Sequence, residues 1–143
     1  MKRTVQKIIT FFVVVLGICC INKIDAKAFT TGDITYINGQ RYLYSNGQKV
    51  INDFVFDGVY TYYAQADGTP MTNRLTYHPD GVHIIYFDKN GHEVFNAFQY
   101  CSSVGYNCYF DSQGYLYKDQ ITYIDGNPYY LNANGALEQN GWF

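Results

Sequence analysis

The side chains best suited to chemistry are two histidines and two cysteines. His78 and His83 flank Pro79-Asp80-Gly81-Val82, and a two-residue loop at Asp80-Gly81 sets them directly across a hairpin. Two imidazoles so placed can share a metal ion. Spacing supplies no third ligand, because His92 falls in the next turn, so we expect cross-strand packing and no metal. Cys101 and Cys108 are the only cysteines beyond Cys20. With Val104-Gly105 as the loop they face each other; with Phe98 opposite Tyr109 they are diagonal neighbours. In either register they share a face, and in an exported chain the expectation is a disulfide stapling the hairpin. The acids Asp57, Asp67, Asp80 and Asp125 each precede a glycine, where Asp is expected on conformational grounds. There is no G-x-S-x-G, no H-E-x-x-H and no zinc-type cysteine spacing. Neither catalysis nor a cofactor is expected.

The elements that carry these residues recur. Gly47, Gly68, Gly91, Gly114 and Gly135 stand 21, 23, 23 and 21 residues apart. Five positions before each is a tyrosine: Tyr42, Tyr63, Tyr86, Tyr109 and Tyr130. Five positions after come Asn52, Asn73, Asn96, Asp119 and Asn140; at +7 stand Phe54, Leu75, Phe98, Ile121 and Trp142; at +9, Phe56, Tyr77, Tyr100 and Tyr123. A second turn signal lies inside each unit, at Asn38-Gly39, Asp57-Gly58, Asp80-Gly81, Val104-Gly105 and Asp125-Gly126. Each unit therefore reads as strand, turn, strand, turn: a β-hairpin plus connector. Two-residue loops place Leu75 opposite Tyr86 and Ile121 opposite Tyr130. A lone hairpin is marginal in water, but successive hairpins that bury their faces on one another share a core. The expected architecture is an elongated all-β solenoid of stacked β-hairpin repeats over residues 29–143. The tyrosine at −5, present in every unit, is expected to form that core.

The first 28 residues stand apart. A basic start, the apolar run "IITFFVVVLGICCI" and the small-x-small pattern Ala26-Lys27-Ala28 read as a secretory signal peptide with Phe29 as first mature residue. The apolar run is short against the ~20 residues of a membrane span. Five of the ten Lys and Arg, but only one of the twelve acids, lie in this leader. The remainder carries 5 basic and 11 acidic side chains, a net of −6. With no basic stripe, nucleic acid and anionic membrane are poor partners.

"YYLNANGALEQNGWF", "IYFDKNGHEVFNAF" and "CYFDSQGYLYKDQI" resemble the cell-wall-binding repeats of Gram-positive surface proteins, a group that includes choline-binding modules and the glucan-binding repeats of secreted glucansucrases. The resemblance covers about residues 34 to 143. It implies β-hairpins stacked into a solenoid, aromatic contacts to choline-bearing wall polymer or α-glucan, and no catalysis. Where choline-binding units carry Gly-Trp, this chain has Phe54, Leu75, Phe98, Ile121 and only finally Trp142. The first position of their Trp-Tyr-Tyr phrase holds Gln40, Thr61, Ile84, Asn107 and Pro128. No complete Trp-based cage for a quaternary ammonium can be assembled, and the "YFD-x-x-G" wording leans towards the glucan-binding branch.

The expected ligand contacts are aromatics that vary between units. Tyr62 and Tyr129, each beside a −5 tyrosine, should point to the other face of their strands, and with Phe98 and Trp142 they form the candidate binding set. The function expected is that of a secreted, surface-associated, non-catalytic module for cell-wall polysaccharide, teichoic acid or α-glucan. The alternative is a structural spacer or protein-interaction array that does not bind sugar.

Overall fold

The structure, a computed structural model, describes residues 29–140. The expected signal peptide and Trp142 lie outside the described residues. Among those described there is no helix. Five antiparallel hairpins follow in order: β2 (Asp33–Ile37) with β3 (Gln40–Ser45), β5 (Asp53–Phe56) with β6 (Thr61–Ala64), β7 (Arg74–Tyr77) with β8 (Ile84–Phe87), β9 (Ala97–Cys101) with β10 (Tyr106–Phe110), and β11 (Gln120–Ile124) with β12 (Asn127–Leu131). Short strands widen three of them. β1 (Thr30–Thr31) runs parallel to β5, β4 (Gln48–Lys49) pairs with β3, and β13 (Leu137–Asn140) pairs with β12.

Turn chemistry sets the hairpins. Asn38-Gly39 and Asp125-Gly126 have positive φ at both residues (50° and 79°; 51° and 79°), the two-residue turn whose twist matches that of paired strands. The registers are those the spacing predicts: Leu75 opposes Tyr86 and Ile121 opposes Tyr130. In the fourth hairpin Phe98 opposes Tyr109, so Cys101 pairs with Tyr106 and Cys108 with Gln99. Of the two arrangements open to the cysteines, the diagonal one holds.

The core lies on the other face from the one expected. Leu43, Ala64, Phe87, Phe110 and Leu131, each one residue after the −5 tyrosine, are all 0% exposed. Residues at −6 share their face, because side chains alternate along a strand. Tyr62, Ile85 and Cys108 are accordingly buried. The −5 tyrosines project to the opposite face, where all but Tyr86 are only half-buried. The physical reason is the phenol. Tyrosine keeps its hydroxyl wet on the half-exposed face, while mostly apolar side chains fill the dry one; Tyr62, the phenol buried there, donates its hydroxyl to Asp57.

Backbone hydrogen bonds tie unit to unit. Glu93 N donates to Thr61 O, and Leu116 N to Ile84 O, both at 2.8 Å; these are the +2 residue of one unit and the −7 residue of the unit before. The +5 residues Asn52, Asn73, Asn96 and Asp119 all have φ between 46° and 51°, a left-handed conformation that Asn and Asp tolerate best after glycine. From there Asn73, Asn96 and Asp119 donate their N–H to Asp88 O, Asp111 O and Asn132 O at 3.0, 3.0 and 2.8 Å.

Those acceptors, at −3, also organise the turns. Asp88 Oδ1 accepts the N–H groups of Asn90 and His92 at 2.8 and 3.0 Å, and Asp111 Oδ1 those of Gln113 and Tyr115 at 2.8 and 2.9 Å. Asn132 Oδ1 does the same for Asn134 and Ala136. The central glycine is needed for its backbone: at Gly114, φ is 81°, a conformation that side chains with a Cβ rarely adopt.

Candidate functional site: the junctions between hairpins

A cavity of about 270 Å³ opens where β5–β6 meets β7–β8. Phe54, Tyr63 and Met71 line it from the first hairpin and its connector; Thr76, Tyr77, Pro79, Ile85 and Phe87 line it from the second. None of these side chains is charged. Phe54 sits edge-on to Tyr63 at 5.1 Å and stacks on the His78 ring at 5.5 Å. Tyr77, 65% exposed, stands at the rim. Such a site offers ring faces and C–H surface to a ligand, with a phenol and a hydroxyl for orientation.

The arrangement recurs two units on. Phe98 is edge-on to Tyr109 at 5.0 Å and to Tyr129 at 4.9 Å, and Tyr109 lies 5.2 Å from Tyr117. By position in the repeat these four correspond to Phe54, Tyr63, Ile85 and Met71. Phe98 and Tyr129, both half-buried, are thus brought together as members of one cluster. Tyr62 is not with them. It is 3% exposed, packs with Leu43, Val55 and Ala64, and donates its hydroxyl to Asp57 Oδ2 at 3.1 Å. Burial, with that carboxylate beside it, pushes its phenol up to about 12. It has no ring face left for a ligand. Sequence reasoning missed Tyr63, Met71 and Tyr77. The available signal was Phe at +7 in alternate units, which marks the two aromatic junctions.

The histidines do face each other across their loop, with His78 N donating to His83 O at 2.8 Å. Between them lies Asp80. His83 Nδ1 is 2.6 Å from Asp80 Oδ2, and His78 Nδ1 accepts the Asp80 N–H at 3.1 Å. The hydrogen bond to His83 and the N–H groups of His83 and Val82 hold the Asp80 carboxyl far below the usual range. Among the described residues no group of three or more His, Cys, Asp or Glu is disposed to hold a metal. The rings instead join units: His83 stacks on Tyr115 at 3.8 Å and 7°, and His92 on Tyr60 at 3.6 Å and 4°. Cys101 and Cys108 are buried as free thiols. The hydrogen bond between them and their burial push the Cys101 thiol up.

Short antiparallel hairpins in register with a repeat of 21 to 23 residues, meeting at aromatic junctions, resemble the choline- and glucan-binding repeat regions of solved structures. The solved structures it resembles bear this out. Alternansucrase in complex with isomaltononaose is similar with a TM-score of 0.64 and 26% identity, over 76% of this chain and 9% of alternansucrase. A truncated alternansucrase from Leuconostoc mesenteroides gives 0.63 and 26%, over 74% of this chain and 10% of that one. In fold the chain also matches the modular Cpl-1 endolysin complexed with a peptidoglycan analogue (0.53, 19%, 83% of this chain and 40% of the endolysin). Choline binding protein F from Streptococcus pneumoniae gives 0.57 and 22%, over 77% and 39%. The chain thus spans less than half the length of each. No family model matches it, and no curated protein does.

Proposed function

We propose that this chain is a secreted, non-catalytic carbohydrate-binding module of the bacterial surface, its hairpins stacked as a solenoid that presents aromatic junctions to cell-wall polymer or α-glucan. One observation carries the reading: the uncharged pocket of Phe54, Tyr63, Met71 and Tyr77, with a second aromatic cluster of Phe98, Tyr109, Tyr117 and Tyr129 two units on. A packing motif alone does not require an open recess with an exposed tyrosine at its rim. Weak sites repeated along one polymer gain affinity through effective concentration. The similar structures point the same way, since one holds isomaltononaose and another a peptidoglycan analogue. Asp57, Asp67, Asp80, Asp88 and Asp111 each accept turn N–H groups, which supports a role without catalysis.

Co-sedimentation of the chain with insoluble α-glucan and with purified Gram-positive cell walls, with and without free choline, tests the reading. Retention on glucan that ignores choline assigns the glucan branch, and choline-sensitive retention on walls assigns the other. Absence from both pellets refutes sugar binding and leaves the spacer or protein-interaction role.

A further inference from the structure

The dipeptide Asn-Gly occurs five times, and at four places, Asn38-Gly39, Asn46-Gly47, Asn90-Gly91 and Asn134-Gly135, both residues are described. The last three fill one repeat column. The pair is chemically labile, because glycine leaves its own nitrogen unshielded and able to reach the side-chain amide of the asparagine before it. The letters are identical at the four places, but the backbones are not.

Two of them are clamped. Gly91 N–H donates to Asp88 O at 3.0 Å, and Gly135 N–H to Asn132 O at 2.8 Å. The carbonyl of the same peptide is held as well: Asn90 O accepts from Arg41 Nη1 at 2.8 Å, and Asn134 O from the Tyr106 hydroxyl at 3.1 Å. Both glycines are buried. Each peptide is thus tied at both its groups, once within its turn and once by a side chain of an earlier unit.

Asn38-Gly39 and Asn46-Gly47 are exposed and built differently. Each supplies the two middle residues of a turn, with positive φ at both (50° and 79°; 49° and 76°), closed by Ile37 with Gln40 and by Ser45 with Gln48. Such a turn spends the groups of its outer residues and leaves the middle peptide facing water. Among the described residues neither Gly39 N–H nor Gly47 N–H has a hydrogen-bond acceptor. Nothing lies within 4 Å of the place a Cβ would take on either glycine, so a ring has room to form. The cause at Gly47 is Tyr44, which takes the −3 place where Asp88 and Asn132 gather turn N–H groups in their units.

We propose that Asn38 and Asn46 are sites of spontaneous covalent modification through a cyclic imide, and that the first unit is where this protein ages. The step needs only water and hydroxide. The glycine N–H proton passes to hydroxide, the nitrogen attacks Asn Cγ, the Cγ–Nδ2 bond breaks and ammonia leaves. Water then opens the imide at either carbonyl. Breaking the new N–Cγ bond gives aspartate; breaking the original peptide bond gives isoaspartate, with the chain running through Cγ. Aspartate fits, since Asp125 holds the same turn position at φ 51°. Isoaspartate lengthens the main chain by one atom, and a two-residue turn so lengthened no longer holds its register. The inference stands apart from the carbohydrate reading.

The test holds the full chain folded in mildly alkaline buffer, beside a sample kept unfolded in urea, and digests both with trypsin at intervals. Cleavage after Arg41, Lys49, Lys89 and Lys118 puts the four asparagines on separate peptides, and mass spectrometry with fragmentation places each amide-to-acid conversion. In the folded chain Asn38 and Asn46 should convert about tenfold faster than Asn90 and Asn134, the factor for opening one ordinary hydrogen bond before reaction. In urea the four should convert at similar rates, because the dipeptide alone then sets the chemistry. Equal rates at all four in the folded chain overturn the proposal, as does faster conversion at Asn90 or Asn134. Amides kept at Asn38 and Asn46 in the folded chain but lost in urea overturn it too. A spread in urea that matches the folded chain refutes the assignment to backbone structure.

Discussion

Truncating Leu43 and its neighbour Tyr42 separately tests which face of the hairpins is the core. Leu43 is fully buried against Ile34, Val50, Val55, Tyr62 and Ala64. Leu43→Ala loses the transfer energy of the side chain and leaves a cavity, a cost of about 2–5 kcal/mol. Tyr42 is half-buried, its ring beneath Lys49 Nζ at 4.3 Å, an exposed cation–π contact worth about 0.5–1 kcal/mol. Tyr42→Ala should therefore cost about 1 kcal/mol. The difference matters because a domain of this size holds only about 5–15 kcal/mol in total. Urea unfolding followed by tyrosine fluorescence reads it directly. With a slope of about 1–3 kcal/mol/M, Leu43→Ala should lower the midpoint by 1 M or more and Tyr42→Ala by a fraction of that. If Tyr42→Ala costs as much as Leu43→Ala, the face assignment is wrong and the invariant tyrosines are the core.

Four further outcomes are expected. Asn96→Ala should destabilise by about 1–2 kcal/mol, the cost of a left-handed backbone for a residue with a Cβ, while Asn96→Gly should stay near neutral; thermal unfolding separates them. Asp111→Ala should cost about 1–3 kcal/mol through two orphaned turn N–H groups, whereas Asp111→Asn should be tolerated, as Asn132 fills the same place in the next unit. For Asp80 the folded pKa is depressed, so its contribution is present above the ordinary carboxylate range and is lost only as pH falls through the lower folded value. NMR titration should find its carboxylate ionised at pH 3 and shifted back upward in His83→Ala. Finally, the contact between Cys101 and Cys108 leads us to expect a disulfide if the chain is exported as proposed; two reactive thiols in unfolded, non-reduced protein would refute it.

The repeat length, the five hairpins and two strand registers were legible in the sequence, because turn residues and spacing fix pairing locally. The buried face was not, and the reason lies in two columns. At −4 and −6 the chain has Ala64 beside Tyr62 and Phe110 beside Cys108. Small accompanies large, so the volume delivered to the core is roughly kept while the identity at each position drifts. A search for recurring letters finds the tyrosines, which are held constant on the wetter face, and passes over the column that is merely always apolar. The +5 asparagines show the opposite case. Their recurrence was plain, but its cause, a left-handed backbone, is visible only in dihedral angles. Of the candidate ligand contacts, Phe98 and Tyr129 were reachable from spacing.

The bonds from Glu93 N to Thr61 O and from Leu116 N to Ile84 O bear on how such a chain can change length. At these two seams a donor of the later unit meets an acceptor of the earlier. A duplicated unit spliced in at that seam brings its own donor for the unit behind and its own acceptor for the unit ahead, and leaves the number of unpaired backbone groups unaltered. Gene segments of 21 or 23 codons can therefore be gained or dropped in frame without redesigning a neighbour, and the variable that such editing tunes is reach: how many junctions one chain presents.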